Sequence, residues 1–116
     1  MKKAFNLKGY IFGALRRIYR WWGPRKEILV KAQRGFKYQC NACNELFDKK
    51  LVQVDHIKEV IDPEIGFIGF DNYIERLFCP MENLQVLCIF CHKAKTKSVV
   101  KTRATTRKRR SKKRNR

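Results

Sequence analysis

Two Cys-x-x-Cys pairs, Cys40–Cys43 and Cys88–Cys91, constrain this chain more than any other feature. Two thiolates three residues apart can grip one ion from a tight turn, but a closed tetrahedral zinc site needs four ligands. The two pairs together supply them. The 44 residues between the pairs exceed the gap of a minimal zinc ribbon, so the closed loop carries an insert with a purpose of its own. Four idle thiols would require both spacings to arise by accident. Cys79, the fifth cysteine, precedes Pro80 with no near partner and reads as a packed or free thiol. An odd total with no export signal favours metal binding in a reducing compartment over disulfides.

A chain of 116 residues is expected to form one small domain, and a metal staple is a natural supplement to its limited core. Its 28 Lys+Arg against 10 Asp+Glu give a formal net charge of +18, which favours polyanions or an anionic surface as partners. No run of 18 apolar residues exists, so no membrane span is expected. Residues 1–22 are basic and partly apolar, but charges interrupt them and no small-residue cleavage site follows. A signal peptide is not expected, and the cytoplasm is the expected compartment.

The first 26 residues hold eight Lys/Arg and no acid. Ile11, Phe12, Leu15, Ile18, Tyr19 and Trp22 recur at three- and four-residue spacing. This predicts an amphipathic helix over about residues 8–22, ended by Gly23-Pro24, with Arg16, Arg17 and Arg20 facing outward. A second short helix is expected over 25–33, closed by Gly35. Residues 51–57 read as one arm of a hairpin. Residues 58–82 are long for a loop and hide a short helix near Asp71–Phe78. A further helix is expected from about Cys91 to residue 100. The last 16 residues hold ten Lys/Arg, no acid and Ala104 as their one apolar side chain, so disorder is expected there. The tail supplies +10 of the charge, leaving residues 1–100 at +8.

Asp55 and His56 lie inside the stapled loop, and His92 adjoins Cys91. A carboxylate is a hard ligand suited to Mg²⁺, Mn²⁺ or Zn²⁺, and a neutral imidazole can take a proton from water near pH 7. Neighbours on a strand point to opposite faces, so Asp55 and His56 can serve one pocket only if the strand bends or twists there.

Taken together, Cys40-x-x-Cys43, Asp55-His56-Ile57, Asn83-Leu84-Gln85 and Leu87-Cys88-x-x-Cys91-His92-x-x-Lys95-Thr96 resemble the HNH endonucleases. They look most like the compact free-standing members encoded by bacteriophages, over about residues 36–97. The resemblance implies an α+β fold with a ββα-metal core (36–100) stapled by a structural zinc on Cys40, Cys43, Cys88 and Cys91. N-terminal helices (1–35) would precede it and the basic tail (101–116) follow. It further implies that Asp55 and His92 hold a catalytic divalent ion, that His56 is the general base, and that Asn83 orients His56 through a hydrogen bond. Lys95 would be an auxiliary phosphate or structural contact, with Arg107, Arg109 and Arg110 as candidate nucleic-acid contacts in the tail. Glu59 stands where such proteins often carry a neutral residue, frequently Pro.

The reading is therefore a metal-dependent nuclease acting on DNA, double-stranded as first expectation, with no membrane partner. Monomer and homodimer both stay open, and phage packaging proteins are further candidate partners. Two rivals explain less. A non-catalytic zinc module that binds nucleic acid accounts for the cysteines and the charge but leaves Asp55, His56, Asn83 and His92 coincidental. A protein that coats nucleic acid accounts for the tail alone.

Overall fold

The structure is a computed structural model that describes the backbone of residues 6–114 and side chains as far as Lys108. Among the described residues it is a small α+β domain with four α-helices and two small antiparallel sheets. Helix α1 (Leu7–Tyr19) begins where Asn6 accepts the Gly9 N–H at 3.0 Å, satisfying one of the donors a helix start leaves unpaired. It stops three residues short of the expected end. Gly23-Pro24 opens α2 (Gly23–Ala32) instead of closing α1, because proline's fixed φ and missing N–H suit a first helical turn. Gly35, at φ 65°, forms the turn between β1 (Gln33–Arg34) and β2 (Lys37–Gln39), and β3 (Leu46–Phe47) pairs with β2.

The second sheet is the frame of the molecule. Strand β4 (Val52–His56) pairs antiparallel with β5 (Leu84–Cys88), in a register that sets Asp55 opposite Gln85 and His56 opposite Leu84. Strand β5 is buried at four of its five positions, and α4 (Ile89–Arg114) follows it at once and packs on both strands. The connection from β4 to β5 carries α3 (Phe70–Leu77), within one residue of the expected short helix. Aromatic side chains fasten α1 across it: the Phe12 ring lies 4.7–5.3 Å from those of Phe67, Phe70 and Tyr73. Trp22 packs edge-on to Phe78 and donates its indole N–H to the Cys79 carbonyl at 2.7 Å. The apolar stripe of α1 thus faces the domain, and Arg16, Arg17 and Arg20 are exposed, as its spacing predicts; Ile18 is the exception and stays out.

Helix α4 corrects the expectation of a disordered tail. It runs through residues 101–114, while residues 115 and 116 lie outside the described residues. Lysine, arginine and alanine are good helix formers, and no Gly or Pro interrupts residues 89–116. Thr96, Thr102, Thr105 and Thr106 each turn their hydroxyl onto the carbonyl four residues back, which satisfies the hydroxyls within the helix. Composition argued only that the segment buries no core of its own; it did not forbid a helix continuing one already nucleated on the sheet. No helix among the described residues is long and apolar enough to cross a membrane.

Candidate functional site

The thiols of Cys40, Cys43, Cys88 and Cys91 all lie within 4.8 Å of one another, close enough to hold one metal ion. Each pair is set by its own local structure. Cys40 and Cys43 sit on a tight turn closed by the Asn44 N–H on the Cys40 carbonyl (2.9 Å) and the Cys40 N–H on the Glu45 carbonyl (2.9 Å). Asn44 takes the left-handed conformation at φ 63°, which asparagine tolerates better than most residues. Cys88 ends β5 and Cys91 lies in the first turn of α4, where its N–H points at the Cys88 sulfur at 3.4 Å. The Asn41 N–H on the Val86 carbonyl (2.8 Å) locks the turn to the sheet.

Cys40 and Cys88 are the most completely buried side chains, and neither is in a disulfide. Burial acts to raise the Cys40 thiol, but backbone hydrogen bonds from Cys43, Cys88 and Ala42 outweigh it and bring it down to about 6. Cys91, crowded first by the Cys88 sulfur, is pushed up to about 12. Four sulfurs this close repel as thiolates and hydrogen-bond poorly as thiols, and a divalent cation such as zinc resolves both. The donor set fits a structural metal. Cys79 stands apart: it is buried, burial pushes its thiol up, and it is not one of the four clustered thiols.

Asp55, His56 and His92 come together around one cavity of about 430 Å³, whose walls also include Arg16, Tyr19, Glu59, Leu77 and Arg103. Asp55 is buried and His56 half-buried at the end of β4, and although they are neighbours on the strand both line the same cavity. Asp55 Oδ1 faces His92 Nε2 at 3.8 Å. Ligand bonds to such ions run to about 2.0–2.2 Å, so one ion can touch both groups. The other oxygen, Oδ2, accepts from Gln85 Nε2 at 2.9 Å and from Lys95 Nζ at 2.5 Å. His92 and Lys95 stand three residues apart on α4, one above the other on a single face.

His56 Nε2 lies 2.9 Å from the Leu77 carbonyl oxygen. A carbonyl only accepts, so Nε2 is the donor, and in the neutral ring Nδ1 is then the nitrogen that can accept a proton. The ring is held on its other side by Tyr19, with centroids 5.2 Å apart.

Asn83 works differently from the expectation. Its side chain accepts the Lys58 N–H at 3.0 Å and faces the Lys58 carbonyl at 3.4 Å, and its own carbonyl takes the Ile57 N–H at 2.8 Å. It pins the backbone that leaves His56 and makes no bond to the imidazole; the Leu77 carbonyl does that. Lys95 is likewise engaged inside the protein, on Asp55, on Glu59 Oε1 at 3.1 Å, and on the carbonyls of His56 and Ile57. Of the two roles expected for it, the structural one is visible here. Arg107 is exposed but lines a neighbouring cleft with Asp62 and Glu64, and the side chains of Arg109 and Arg110 lie outside the described residues.

Sequence reasoning gave Gln85, Leu77, Tyr19 and Arg103 no individual role in this site. For Gln85 a signal existed, since a β4–β5 hairpin through Asp55 places it directly opposite. Gln85 is also held from behind, accepting from Asn41 Nδ2 at 3.0 Å, so a hydrogen-bonded line runs from the cysteine turn to Asp55. No protein-family model, no curated protein and no solved structure matches this chain.

Proposed function

We propose that the protein is a metal-dependent endonuclease of the HNH kind that hydrolyses DNA phosphodiester bonds. The observation that carries this reading is the convergence of Asp55, His56 and His92 on one cavity, with His56 Nε2 against the Leu77 carbonyl. Asp55 and His92 would hold a divalent ion (Mg²⁺, Mn²⁺ or Zn²⁺), which when bound supplies a Lewis acid to offset charge on the phosphate and the departing 3′ oxygen. His56 Nδ1 takes the proton of the attacking water. The Leu77 carbonyl keeps the imidazole in the tautomer this needs and favours the cation that forms. Tyr19 and Asn83 hold the ring and the backbone beneath it, so the base does not have to be ordered during the reaction. The products expected are a 5′-phosphate and a 3′-hydroxyl. The four-cysteine site fixes the end of β5 and the start of α4, and thereby the distance from Asp55 to His92.

One observation favours a second reading, a non-catalytic zinc-stabilised nucleic-acid-binding module. Lys95 already sits on Asp55, as in a buried structural ion pair. The two readings separate on a supercoiled plasmid incubated with Mg²⁺ or Mn²⁺. The nuclease reading expects nicks that DNA ligase can seal, and their loss in Asp55→Asn. Binding with no nicking in any metal supports the module.

A further inference from the structure

Two arginines stand on the walls of the cavity that holds Asp55, His56 and His92, and both come from outside the paired strands. Arg16 belongs to α1 and Arg103 to the part of α4 expected to be disordered. Arg103 lies 11 residues beyond His92, three turns on and on nearly the same helix face, at about 16 Å along the axis. Its side chain nevertheless lines the same cavity, because helical side chains lean back toward the N-terminus.

Neither arginine makes an ion pair within the described residues. Among the described residues the Arg16 side chain makes one long hydrogen bond, 3.4 Å, to the Phe12 carbonyl. Arg103 also lines the neighbouring cleft with Asp62, Glu64 and Arg107, and within the described residues it is not paired to either acid. Lys95 holds Asp55 and Glu59, and on the far side of Arg103 the Asp62 carboxylate accepts the backbone N–H groups of Glu64 and Ile65 at 2.8 and 3.2 Å. Two exposed guanidiniums without carboxylate partners thus rim a cavity whose floor carries two imidazoles and a carboxylate. Guanidinium presents a planar fork that matches two oxygens of a phosphate. A tail-bound cation anywhere on the surface would attract a polyanion; only cations at this rim would place one over His56.

We infer that Arg16 and Arg103 form a phosphate clamp, each binding a backbone phosphate of one nucleic-acid strand so that the strand crosses the cavity between α1 and α4. This rests on the nuclease reading for its purpose but not for its test. Arg17 is the control, a neighbouring α1 arginine that is exposed and does not line the cavity.

Binding of a short fluorescent duplex is measured against salt, without added divalent metal, for the full chain and for Arg16→Ala, Arg103→Ala and Arg17→Ala. Each phosphate neutralised contributes close to one unit of slope in log affinity against log salt, so each rim variant should lower the slope by about one and weaken binding roughly fivefold. Arg17→Ala should change less in both, and Arg16→Lys should recover the slope. Rim variants indistinguishable from Arg17→Ala overturn the clamp. Plasmid cleavage run alongside separates the two ideas. A wild type that cuts while the rim variants match Arg17→Ala keeps the nuclease and removes the clamp, whereas selective rim effects without cutting keep the clamp and remove the nuclease.

Discussion

Lys95 Nζ lies 2.5 Å from Asp55 Oδ2 and 3.1 Å from Glu59 Oε1, so one cation on α4 ties down two carboxylates at and beyond the end of β4. The same ammonium meets the carbonyls of His56 and Ile57. It therefore fixes the segment that presents His56 while leaving Asp55 Oδ1 toward His92.

Replacing Lys95 by Met leaves a buried carboxylate without its counter-charge. Removing one partner of a fully buried pair costs about 3–5 kcal/mol, and the partial exposure of Lys95 brings the expectation to about 2 kcal/mol. A divalent ion at Asp55 would replace part of the missing charge, so Mn²⁺ should raise the melting temperature of Lys95→Met more than that of the wild type. Thermal unfolding with and without Mn²⁺ checks this. An equal rise in both proteins would separate Lys95 from the metal position.

Gln85→Leu removes one of the donors to Asp55 Oδ2 and the acceptor of Asn41. A stability loss of about 1 kcal/mol is expected. Because Asn41 and Gln85 belong to one line, Asn41→Ala should cost little more once Gln85 is gone. A double-mutant cycle by urea unfolding measures it, and full additivity would show that the line is not coupled.

The purified protein should carry about one zinc per chain. Cys88→Ser should lose it and unfold cooperatively at lower temperature, because Cys88 lies in the core cluster with Cys40 and Leu87. Cys79→Ser should keep the metal, since Cys79 is not among the clustered thiols. Metal analysis of the two variants decides. Zinc lost from Cys79→Ser and kept in Cys88→Ser would reverse the assignment.

Burial, with further push from Cys79, raises the Tyr19 hydroxyl from 10 to about 12, and that hydroxyl has no hydrogen-bond partner among the described residues. Between those values the unfolded chain has released the proton while the folded chain keeps it, so unfolding is favoured as pH rises. The stabilisation is complete below pH 10 and is lost as pH climbs toward 12. Tyr19→Phe should lose less stability between pH 10 and 12 than the wild type. Matching alkaline melts would contradict the assignment.

The parts of the fold written in short-range signals were legible. The strand at 51–57, the helix near Asp71–Phe78 and the outward arginines of α1 follow from spacing and side-chain type, and the cysteine pairs announced their own cluster. Contacts that depend on tertiary placement were not. Nothing local says that the Leu77 carbonyl would accept a hydrogen bond from His56, because 21 residues separate them and a carbonyl has no residue identity. Asn83 was expected on the imidazole and was found on the backbone of the next two residues, Ile57 and Lys58. Lys95 was expected as a phosphate or a structural contact, and only the packing of α4 on β4 shows its ammonium on Asp55 and Glu59. Composition misjudged the tail, since low hydrophobicity limits core formation more than it limits extension of an existing helix.

Cleavage of supercoiled plasmid by the wild type and by His56→Ala, in Mg²⁺ or Mn²⁺ and at equal zinc content, bears most directly on the central claim. A positioned general base contributes about 10²–10⁴-fold, so the account predicts metal-dependent nicking that falls at least 100-fold in His56→Ala while duplex binding is retained. Plasmid left intact by the wild type, or cut equally well by His56→Ala, would contradict it.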